Sequence, residues 1–314
     1  MKQIAVIDTG YESYAYEHQL FAYLGYELII YEGEEKGGRR PFEFAGSAEG
    51  ILVRDRKVGP AEMALMPKLK AIVRYGVGYD NIDLEAARER SIRVSNVQGY
   101  ASHSVSDHAL ALMFACTRNL QGKREGSFGV PPRKEIMELH NKTLGIIGIG
   151  RIGSQLALKA SSLFKRIVAF DPYKSLEYMT RLNVSRVALP ELLRESHVIS
   201  LHCSLSDETR HILDDSGFEM MAQKPVVINT SRGPVIAEKA LLDALREGKI
   251  HSAGLDVFEQ EPPGKGQAEL LGHPLVVTTP HVAWYSENAV KTLQKRAADN
   301  MAGLLLGKQV DDEL

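Results

Sequence analysis

Three ionisable residues of different kinds, Arg232, Glu261 and His281, each follow the end of a predicted β-strand in the second half of the chain. The carboxyl ends of parallel strands meet at one edge of an open α/β sheet, where such sheets bind ligands. Arginine offers a planar, bidentate cation for a carboxylate. Histidine titrates near the working pH of most enzymes, and a neighbouring carboxylate favours its protonated form. Together the three suit proton transfer to or from an anionic carbonyl compound such as a 2-keto acid.

Each residue also has an ordinary structural explanation. Arg232 could be a surface ion-pair partner, Glu261 a solvated charge next to prolines, and His281 a histidine satisfied behind a strand. Structural charges and histidines are commoner than catalytic ones. Reduction of a 2-keto acid needs a hydride donor as well as a cation and an acid, so the hypothesis depends on a cofactor site.

A glycine-rich turn predicts that cofactor site. The run Leu144–Gly153 leads from a buried strand into G-x-G-x-x-G, and helical spacing follows over Ser154–Leu163. Gly148 permits a tight turn, Gly150 lets the backbone approach a pyrophosphate, and Gly153 lets helix and strand pack closely. The N-terminus of the helix favours phosphate through its N–H groups and its dipole.

A carboxylate at the end of the next predicted strand supports the prediction that the site binds a dinucleotide. Asp171 lies about twenty residues beyond the glycines, where a carboxylate can accept hydrogen bonds from ribose hydroxyls. It would repel a 2′-phosphate, and Pro172 and Tyr173 follow it rather than basic residues. The pattern therefore predicts NAD(H) in preference to NADP(H).

The elements that must position these residues alternate short β-rich runs with longer helical patterns, which is typical of parallel sheets with crossover helices. The predicted strands of a first sheet are Ile4–Asp8, Glu27–Tyr31, Gly50–Val53, Ala71–Arg74 and Ile92–Ser95. Those of a second sheet are Leu144–Gly148, Ile167–Asp171, Val198–His202, Val226–Asn229, Ala253–Asp256 and Val276–Thr279.

Helical spacing covers Tyr14–Leu24, Leu84–Arg90 and Ser102–Arg118, and the polar stretch Gln121–Lys134 is predicted to be a loop because of its glycines and prolines. The final helical stretch, Ser286–Leu306, has no strand after it. We expect this last helix to return to the first domain.

Composition narrows the class of protein. A length of 314 residues suggests two domains, and a net charge of −2 implies neither a nucleic-acid nor an anionic-membrane partner. The two cysteines, Cys116 and Cys203, have no metal-ligand spacing, so we expect no metal site and a reducing compartment. The run Met1–Asp8 lacks the features of a secretory signal, and no apolar stretch reaches the ~20 residues of a membrane span. We therefore expect a cytoplasmic protein.

Four ordered motifs together resemble the D-isomer-specific 2-hydroxyacid dehydrogenase family, which includes phosphoglycerate dehydrogenase and the C-terminal-binding-protein corepressors. They are the glycine motif and the runs Asn229–Gly233, Asp256–Pro262 and Pro280–Trp284. The resemblance spans essentially the whole chain. It implies an α/β protein with two Rossmann-like, doubly wound parallel-sheet domains. Residues 1–98 and 287–314 would form a discontinuous, flavodoxin-like substrate domain, residues 99–286 the NAD-binding domain, and catalysis would occur in the cleft between them.

The resemblance also implies an activity and roles for residues. The chain would interconvert a small D-2-hydroxy acid and its 2-keto acid, with Arg232 orienting and polarising the substrate, His281 as acid/base, and Glu261 tuning His281. Asp256 would hold the nicotinamide carboxamide. The other cofactor-binding residues implied are Val77, Gly148, Gly150, Arg151, Ile152, Gly153, Asp171, His202, Cys203, Thr209, Thr230 and Ser231.

The stretch Arg74–Asp83 is similar to the family's substrate loop. Tyr75 and Gly76 open it, and the backbone N–H groups around Val77 and Gly78 would face the substrate carboxylate. Without the family, the stretch is simply a glycine-rich turn before a helix.

Some positions depart from the family pattern. The stretch between Arg118 and Leu139 is shorter than usual and lacks the customary tryptophan, and Ser204 stands where proline is common. Trp284, the only tryptophan, would form an aromatic wall for a small or apolar substrate tail, or else pack the domain hinge. The shorter stretch and Ser204 concern loop shape more than chemistry.

Two alternatives stay open. One is an NAD(H)-sensing, C-terminal-binding-protein-like interaction protein, which would not need Arg232, Glu261 and His281 together. The other is a phosphite- or formate-type dehydrogenase on the same fold. For the enzyme, the resemblance further implies a homodimer through the NAD-binding domain, with the helix at Ser102–Arg118 near the interface.

Overall fold

The computed structural model describes residues 2–8, 10–33, 40–120 and 136–314. The chain forms two compact units, Met1–Tyr100 with Ser286–Leu314, and Ala101–Tyr285. The domain bounds predicted from the sequence differ from these by no more than two residues. The predicted loop Gln121–Lys134 lies outside the described residues. None of the described helices is both long and apolar enough to cross a membrane.

The first unit contains a five-stranded parallel sheet. Its strands are β1 (Lys2–Val6), β2 (Tyr26–Ile30), β3 (Ala48–Val53), β4 (Ala71–Arg74) and β5 (Arg93–Ser95), in the order β2-β1-β3-β4-β5. This is the flavodoxin-like order. Its inner strands are apolar on both faces because helices cover both sides of a parallel sheet. Ile51, Leu52 and Val53 of β3, for example, are wholly buried.

Four helices of this unit precede residue 100. They are α1 (Ala15–Tyr23), α2 (Pro41–Phe44), α3 (Pro60–Ala64) and α4 (Leu84–Glu89). Asp83 caps α4, because its carboxylate accepts a hydrogen bond from the N–H of Ala86 at 2.9 Å. The C-terminal helix, Glu287–Leu305, packs on β3, β4 and α1, so the expectation that it returns to the first domain is confirmed.

The second unit contains a seven-stranded parallel sheet. Its strands are β6 (Thr143–Ile147), β7 (Arg166–Phe170), β8 (Ser185–Arg186), β9 (Val198–Leu201), β10 (Val226–Asn229), β11 (Ser252–Leu255) and β12 (Val276–Thr278). The order β12-β11-β10-β9-β6-β7-β8 is that of the Rossmann fold with one strand added at an edge. The predicted fold class is confirmed for both units.

Helices and apolar clusters cover both faces of this second sheet. The helices are α5 (Ser102–Thr117), α6 (Arg151–Ala160), α7 (Leu176–Arg181), α8 (Leu189–Glu195), α9 (Asp215–Glu219), α10 (Glu238–Arg246) and α11 (Ala268–Leu271). Neighbouring strand residues alternate between the two clusters: Val227 belongs to one, and Val226 and Ile228 to the other. Cys116 is buried in the cluster that contains Val226 and Ile228.

All eleven predicted strands are confirmed to within two residues, whereas β8 was missed. Its two residues, Ser185 and Arg186, are polar and exposed, so they give no apolar signal. The helix predicted over Ser154–Leu163 begins three residues earlier, at Arg151. The glycine turn therefore leads directly into the helix, with Gly150 as its N-cap residue.

Candidate active site

The glycine turn after β6 has the geometry that a dinucleotide requires. Gly148 has a φ of +89°, and a Cβ there would lie 2.6 Å from the backbone nitrogen of Cys203. A Cβ at Gly153 would lie 2.2 Å from the carbonyl oxygen of Gly148. Only glycine therefore allows the first turn of α6 to sit on the end of the strand. At Gly150 a Cβ would meet nothing within 4 Å, so this glycine faces open space.

Asp171 lies immediately after β7, and backbone groups on either side hold its carboxylate. Oδ2 accepts a hydrogen bond from the N–H of Ile149 at 3.0 Å, and Oδ1 from the N–H of Tyr173 at 2.9 Å. A cavity of about 400 Å³ lies beside it, lined by residues 170–172 at the end of β7, by residues 186–188 and by Glu191. The carboxylate is thus fixed beside the glycine turn and keeps lone pairs for further donors.

Three predicted cofactor residues follow β9. Burial lowers the pKa of His202 to about 3, so its imidazole is neutral, and its Nε2 lies 2.8 Å from the hydroxyl of Ser200. Burial raises the pKa of the Cys203 thiol to about 11, so it stays protonated. The hydroxyl of Thr209 donates to the carbonyl oxygen of Ser204 at 2.6 Å and shapes the local loop.

The side chain of Asn229 organises the turn after β10. Its Oδ1 accepts hydrogen bonds from the N–H and the hydroxyl of Ser231, at 3.0 and 2.9 Å, and its Nδ2 donates to the carbonyl oxygen of Arg232 at 2.9 Å. The hydroxyl of Thr230 is buried and has no hydrogen-bond partner among the described residues. A bound group could therefore pair with it.

Gly233 brings this turn against the loop that carries Glu261. A Cβ at Gly233 would lie 1.9 Å from the carbonyl carbon and oxygen of Phe258, so no other residue allows this approach. Arg232 extends from the same turn, and its Nη1 donates to the carbonyl oxygen of Ser231 at 2.9 Å.

Glu261 and His281 form a hydrogen-bonded pair. Oε2 of Glu261 lies 2.6 Å from Nδ1 of His281, and Oε1 accepts a hydrogen bond from the N–H of Phe258 at 3.0 Å. Burial alone would raise the pKa of Glu261. The hydrogen bond and charge of His281, the amide of Phe258 and the charge of Arg232 outweigh burial and leave that pKa below its usual value.

The backbone of His281 is held in an unusual conformation. Its φ is +53°, which costs free energy in a residue other than glycine. Its N–H donates to the carbonyl oxygen of Asp256 at 2.8 Å, and its carbonyl oxygen accepts a hydrogen bond from Nε1 of Trp284 at 3.0 Å. Because Nδ1 is engaged by Glu261, Nε2 is the ring nitrogen left for a reacting group.

The predicted substrate loop belongs to the first unit. The side chain of Tyr75 is buried, and its hydroxyl donates to Oε1 of Glu17 at 3.2 Å, so this hydroxyl is turned into the core. Gly76 has a φ of +143°, and a Cβ there would lie 1.5 Å from Nη1 of Arg74. Val77 is 43% exposed, so the loop reaches the surface at this residue.

Comparison with known proteins identifies the family. Residues 110–283 match the family model described as the NAD-binding domain of D-isomer specific 2-hydroxyacid dehydrogenases. The chain belongs to the D-isomer specific 2-hydroxyacid dehydrogenase family. It is therefore an NAD-dependent dehydrogenase of 2-hydroxy acids.

Curated relatives carry several enzyme names. The chain is 37% identical to a glyoxylate reductase from Korarchaeum cryptofilum over 77% of this chain and 75% of that protein. It is 41% identical to a hydroxypyruvate reductase from Thermotoga maritima, over 68% and 70% of the two chains. It is 39% identical to a D-3-phosphoglycerate dehydrogenase from Methanocaldococcus jannaschii, over 84% of this chain. The chain spans about half the length of that relative, 51%.

Among solved structures, the D-lactate dehydrogenase from Aquifex aeolicus, complexed with NAD and lactic acid, has a TM-score of 0.86. Its sequence is 26% identical, and the match covers 98% of this chain and 96% of that one.

The residues around the glycine turn of the dehydrogenase fit NAD. The amino terminus of α6 with Arg151 and Ile152 would take the pyrophosphate, Asp171 the ribose, and the neighbouring cavity the adenine. Gly150 leaves room on the side that the phosphates would occupy.

Two residues that the sequence did not single out, Thr279 and His108, support the carboxylate of Asp256 beside the His281 loop of the dehydrogenase. Oδ1 of the buried Asp256 accepts hydrogen bonds from the Thr279 hydroxyl at 2.5 Å and the N–H of Val282 at 2.9 Å; Oδ2 accepts one from Ala283 at 2.9 Å. Nε2 of His108, on α5, lies 2.9 Å from the same hydroxyl. Asp256 thus fixes the backbone after His281, and Oδ2 keeps a lone pair for one further donor.

Proposed function

We propose that this dehydrogenase interconverts a small D-2-hydroxy acid and its 2-keto acid, with Arg232, Glu261 and His281 as its working side chains. The 2.6 Å contact between Glu261 and His281 is the observation that carries this proposal. The close approach at Gly233 supports it, because it places the turn of Arg232 against the loop of the same glutamate.

In the direction of reduction, the guanidinium of Arg232 binds the substrate carboxylate and polarises the 2-carbonyl group. NADH, when bound, supplies the hydride that reduces the 2-carbon. The protonated His281 donates its proton from Nε2 to the carbonyl oxygen, which becomes the hydroxyl. Glu261 stabilises the imidazolium before transfer and keeps the ring oriented. In oxidation the proton returns to Nε2.

The remaining assignments are part of the same proposal. Asp256 would accept a hydrogen bond from the nicotinamide carboxamide through the lone pair left on Oδ2. His202, Cys203, Thr209, Thr230 and Ser231 would line the cofactor groove, Thr230 through its unpaired hydroxyl. Trp284 would face the substrate tail.

The loop Tyr75–Gly78 would bind the substrate carboxylate through its backbone N–H groups.

We also propose a homodimer formed through the NAD-binding unit and a cytoplasmic location. Two partly exposed apolar side chains near the end of α5, Phe114 and Leu120, favour an interface there. Light scattering after size-exclusion chromatography would measure the mass of the assembly.

A spectrophotometric assay tests the reaction. NADH is mixed with glyoxylate, hydroxypyruvate and pyruvate in turn, nicotinamide absorbance is followed, and the configuration of the product is determined. We expect reduction of at least one compound to the D product. No oxidation of NADH with any 2-keto acid would refute the proposal and favour the interaction-protein alternative. Reduction of NAD⁺ by phosphite or formate alone would favour the second alternative.

Arg232→Lys separates the proposed role of Arg232 from mere positive charge. The ammonium keeps the charge but loses the bidentate fork, so kcat/KM should fall by roughly a hundredfold or more. The affinity for NADH, measured by fluorescence titration, should persist. Near wild-type turnover in this variant would show that Arg232 does not bind or polarise the substrate.

A further inference from the structure

Two carbonyl oxygens of the substrate loop are tied to the segment that follows β5. The carbonyl oxygen of Gly76 accepts a hydrogen bond from the N–H of Val97 at 3.0 Å. The carbonyl oxygen of Val77 accepts one from Nδ2 of Asn96 at 2.5 Å. Across a trans peptide bond, a carbonyl and the N–H that follows it point in opposite directions. With both carbonyls fixed towards Asn96 and Val97, the N–H groups of Val77 and Gly78 are directed to the other side of the loop.

The amide of Asn96 is placed for this one bond. Its side chain is buried, and its Oδ1 has no hydrogen-bond partner among the described residues. Turning the amide over would set Oδ1 against the carbonyl oxygen of Val77, so that two acceptors would face each other. An unsatisfied buried acceptor costs free energy. The bond to the Val77 carbonyl therefore fixes the orientation of the Asn96 amide, although this orientation leaves Oδ1 of Asn96 without a partner among the described residues.

The backbone of Asn96 is braced independently of the loop. Its N–H donates to the carbonyl oxygen of Asp312 at 3.2 Å, and its carbonyl oxygen accepts a hydrogen bond from Nδ2 of Asn300 at 3.0 Å. Nη2 of Arg296 lies 2.5 Å from Oδ2 of Asp312. The C-terminal helix and the residues after it thus hold Asn96 as a rigid support.

We propose that Asn96 is a positioning residue for recognition of the substrate carboxylate. It does not touch the substrate. It holds the Val77 carbonyl so that the N–H groups of Val77 and Gly78 converge on one anion, the carboxylate of a 2-keto acid. This inference rests on the proposed function of the loop.

Steady-state kinetics of Asn96→Ala tests the inference. Loss of the bond frees the peptide between Val77 and Gly78, so KM for the 2-keto acid should rise about tenfold or more, because the N–H of Gly78 is no longer aligned with that of Val77. The kcat should stay within about twofold, and the affinity for NADH should not change, because this bond holds only the carboxylate-binding groups. A wild-type KM in this variant would overturn the inference.

Arg93→Gln is the matched control. Arg93 lies in β5, three residues before Asn96, and bonds Glu313 and the carbonyl oxygens of Leu304 and Lys308. Its side chain makes no hydrogen bond with the loop among the described residues. Its loss weakens the docking of the C-terminal residues but leaves the bond between Asn96 and the Val77 carbonyl in place, so KM should match the wild type. An equal rise in KM in both variants would reduce Asn96 to a general structural role and overturn the inference.

Asn96→Asp keeps the size of the side chain and adds a readout that depends on the hydrogen bond alone. The ionised carboxylate repels the Val77 carbonyl, whereas the protonated carboxyl can donate to it. The ratio of its KM to the wild-type KM should therefore fall as the pH is lowered. A ratio independent of pH would contradict the inference, even if Asn96→Ala proves too unstable to assay.

Hydrogen exchange separates failure of this inference from failure of the proposed function. Without ligand, Asn96→Ala should speed amide exchange over residues 76–79 relative to both the wild type and Arg93→Gln. Addition of NADH and oxamate, an unreactive analogue of a 2-keto acid, should slow exchange there in the wild type and in Arg93→Gln, but not in Asn96→Ala. Unchanged exchange in Asn96→Ala overturns the Asn96 inference. A wild type that neither turns over a 2-keto acid nor responds to oxamate overturns the proposed function.

Discussion

Nδ1 of His281 lies 2.6 Å from Oε2 of Glu261, a residue twenty positions earlier in the chain. The other oxygen of the carboxylate is held by the N–H of Phe258, so the carboxylate cannot turn away from the ring. The pair therefore fixes the orientation of the imidazole and leaves Nε2 as the nitrogen that would face a substrate in the proposed mechanism.

Glu261→Gln should move the pH dependence of reduction to lower values. Glutamine keeps the size of the side chain but removes the negative charge that favours the protonated imidazole. The alkaline limb of kcat/KM should shift to lower pH, and binding of NADH should not change. Rates measured across pH in the wild type and the variant check this. Superimposable profiles would exclude Glu261 from the mechanism.

Gly233→Ala should damage the site through packing alone. The added Cβ would lie 1.9 Å from the backbone of Phe258, so the loop that carries Glu261 must move. We expect kcat/KM to fall at least about tenfold and the free energy of unfolding to fall by about 1–3 kcal/mol. Gly266→Ala is the control, since a Cβ at Gly266 would meet nothing within 4 Å. Equal behaviour of the two variants would contradict the prediction.

The sequence predicted the features that depend on local pattern. The strands followed from apolar runs, the glycine turn from its spacing, and the three ionisable residues from their positions after strand ends. The structure pairs Glu261 with His281, and the family is confirmed. The catalytic roles of the three residues remain predictions.

Features that depend on distant partners could not be predicted. His108 and Thr279 are separated by 171 positions, and nothing in either local sequence marks their contact. The same holds for Asn96, whose partner Val77 lies across the end of a sheet. The sequence predicts Tyr75 to be a loop residue, yet its ring is buried. Its hydroxyl bonds Glu17 and its ring packs edge-on against that of Tyr11, and both partners are distant in the sequence.

Thr279→Val should loosen the His281 loop. The change keeps the shape of the side chain but removes the hydroxyl that bonds Asp256 and His108, and so leaves a buried carboxylate short of a donor. The free energy of unfolding should fall by about 1–3 kcal/mol, and kcat should fall about tenfold. Thr180→Val is the control, because that hydroxyl bonds only its own helix on the surface. An unchanged kcat in Thr279→Val would show that the hydroxyl does not position the loop.

Asp171→Asn should weaken the preference for NADH over NADPH. Asparagine is equal in size and can still accept the hydrogen bond from Ile149, but it no longer repels a 2′-phosphate. We expect the ratio of the two dissociation constants, measured by fluorescence titration, to change about tenfold in favour of NADPH. An unchanged ratio would mean that other residues exclude the phosphate.

His202→Gln should make the protein less sensitive to acid. Burial lowers the pKa of His202 from 6.5 to about 3. Between these pH values the imidazole binds a proton in the unfolded chain but not in the folded chain. Stability from the neutral imidazole is therefore complete above pH 6.5 and is lost progressively as the pH falls towards 3. The other titrating groups are common to both proteins, so the difference in slope isolates this residue. The free energy of unfolding should be measured by urea unfolding between pH 7.5 and 5. Below pH 6.5 it should fall with decreasing pH less steeply in the variant, by up to about 1.4 kcal/mol per pH unit. Parallel slopes would mean that the imidazole is solvated in the folded protein.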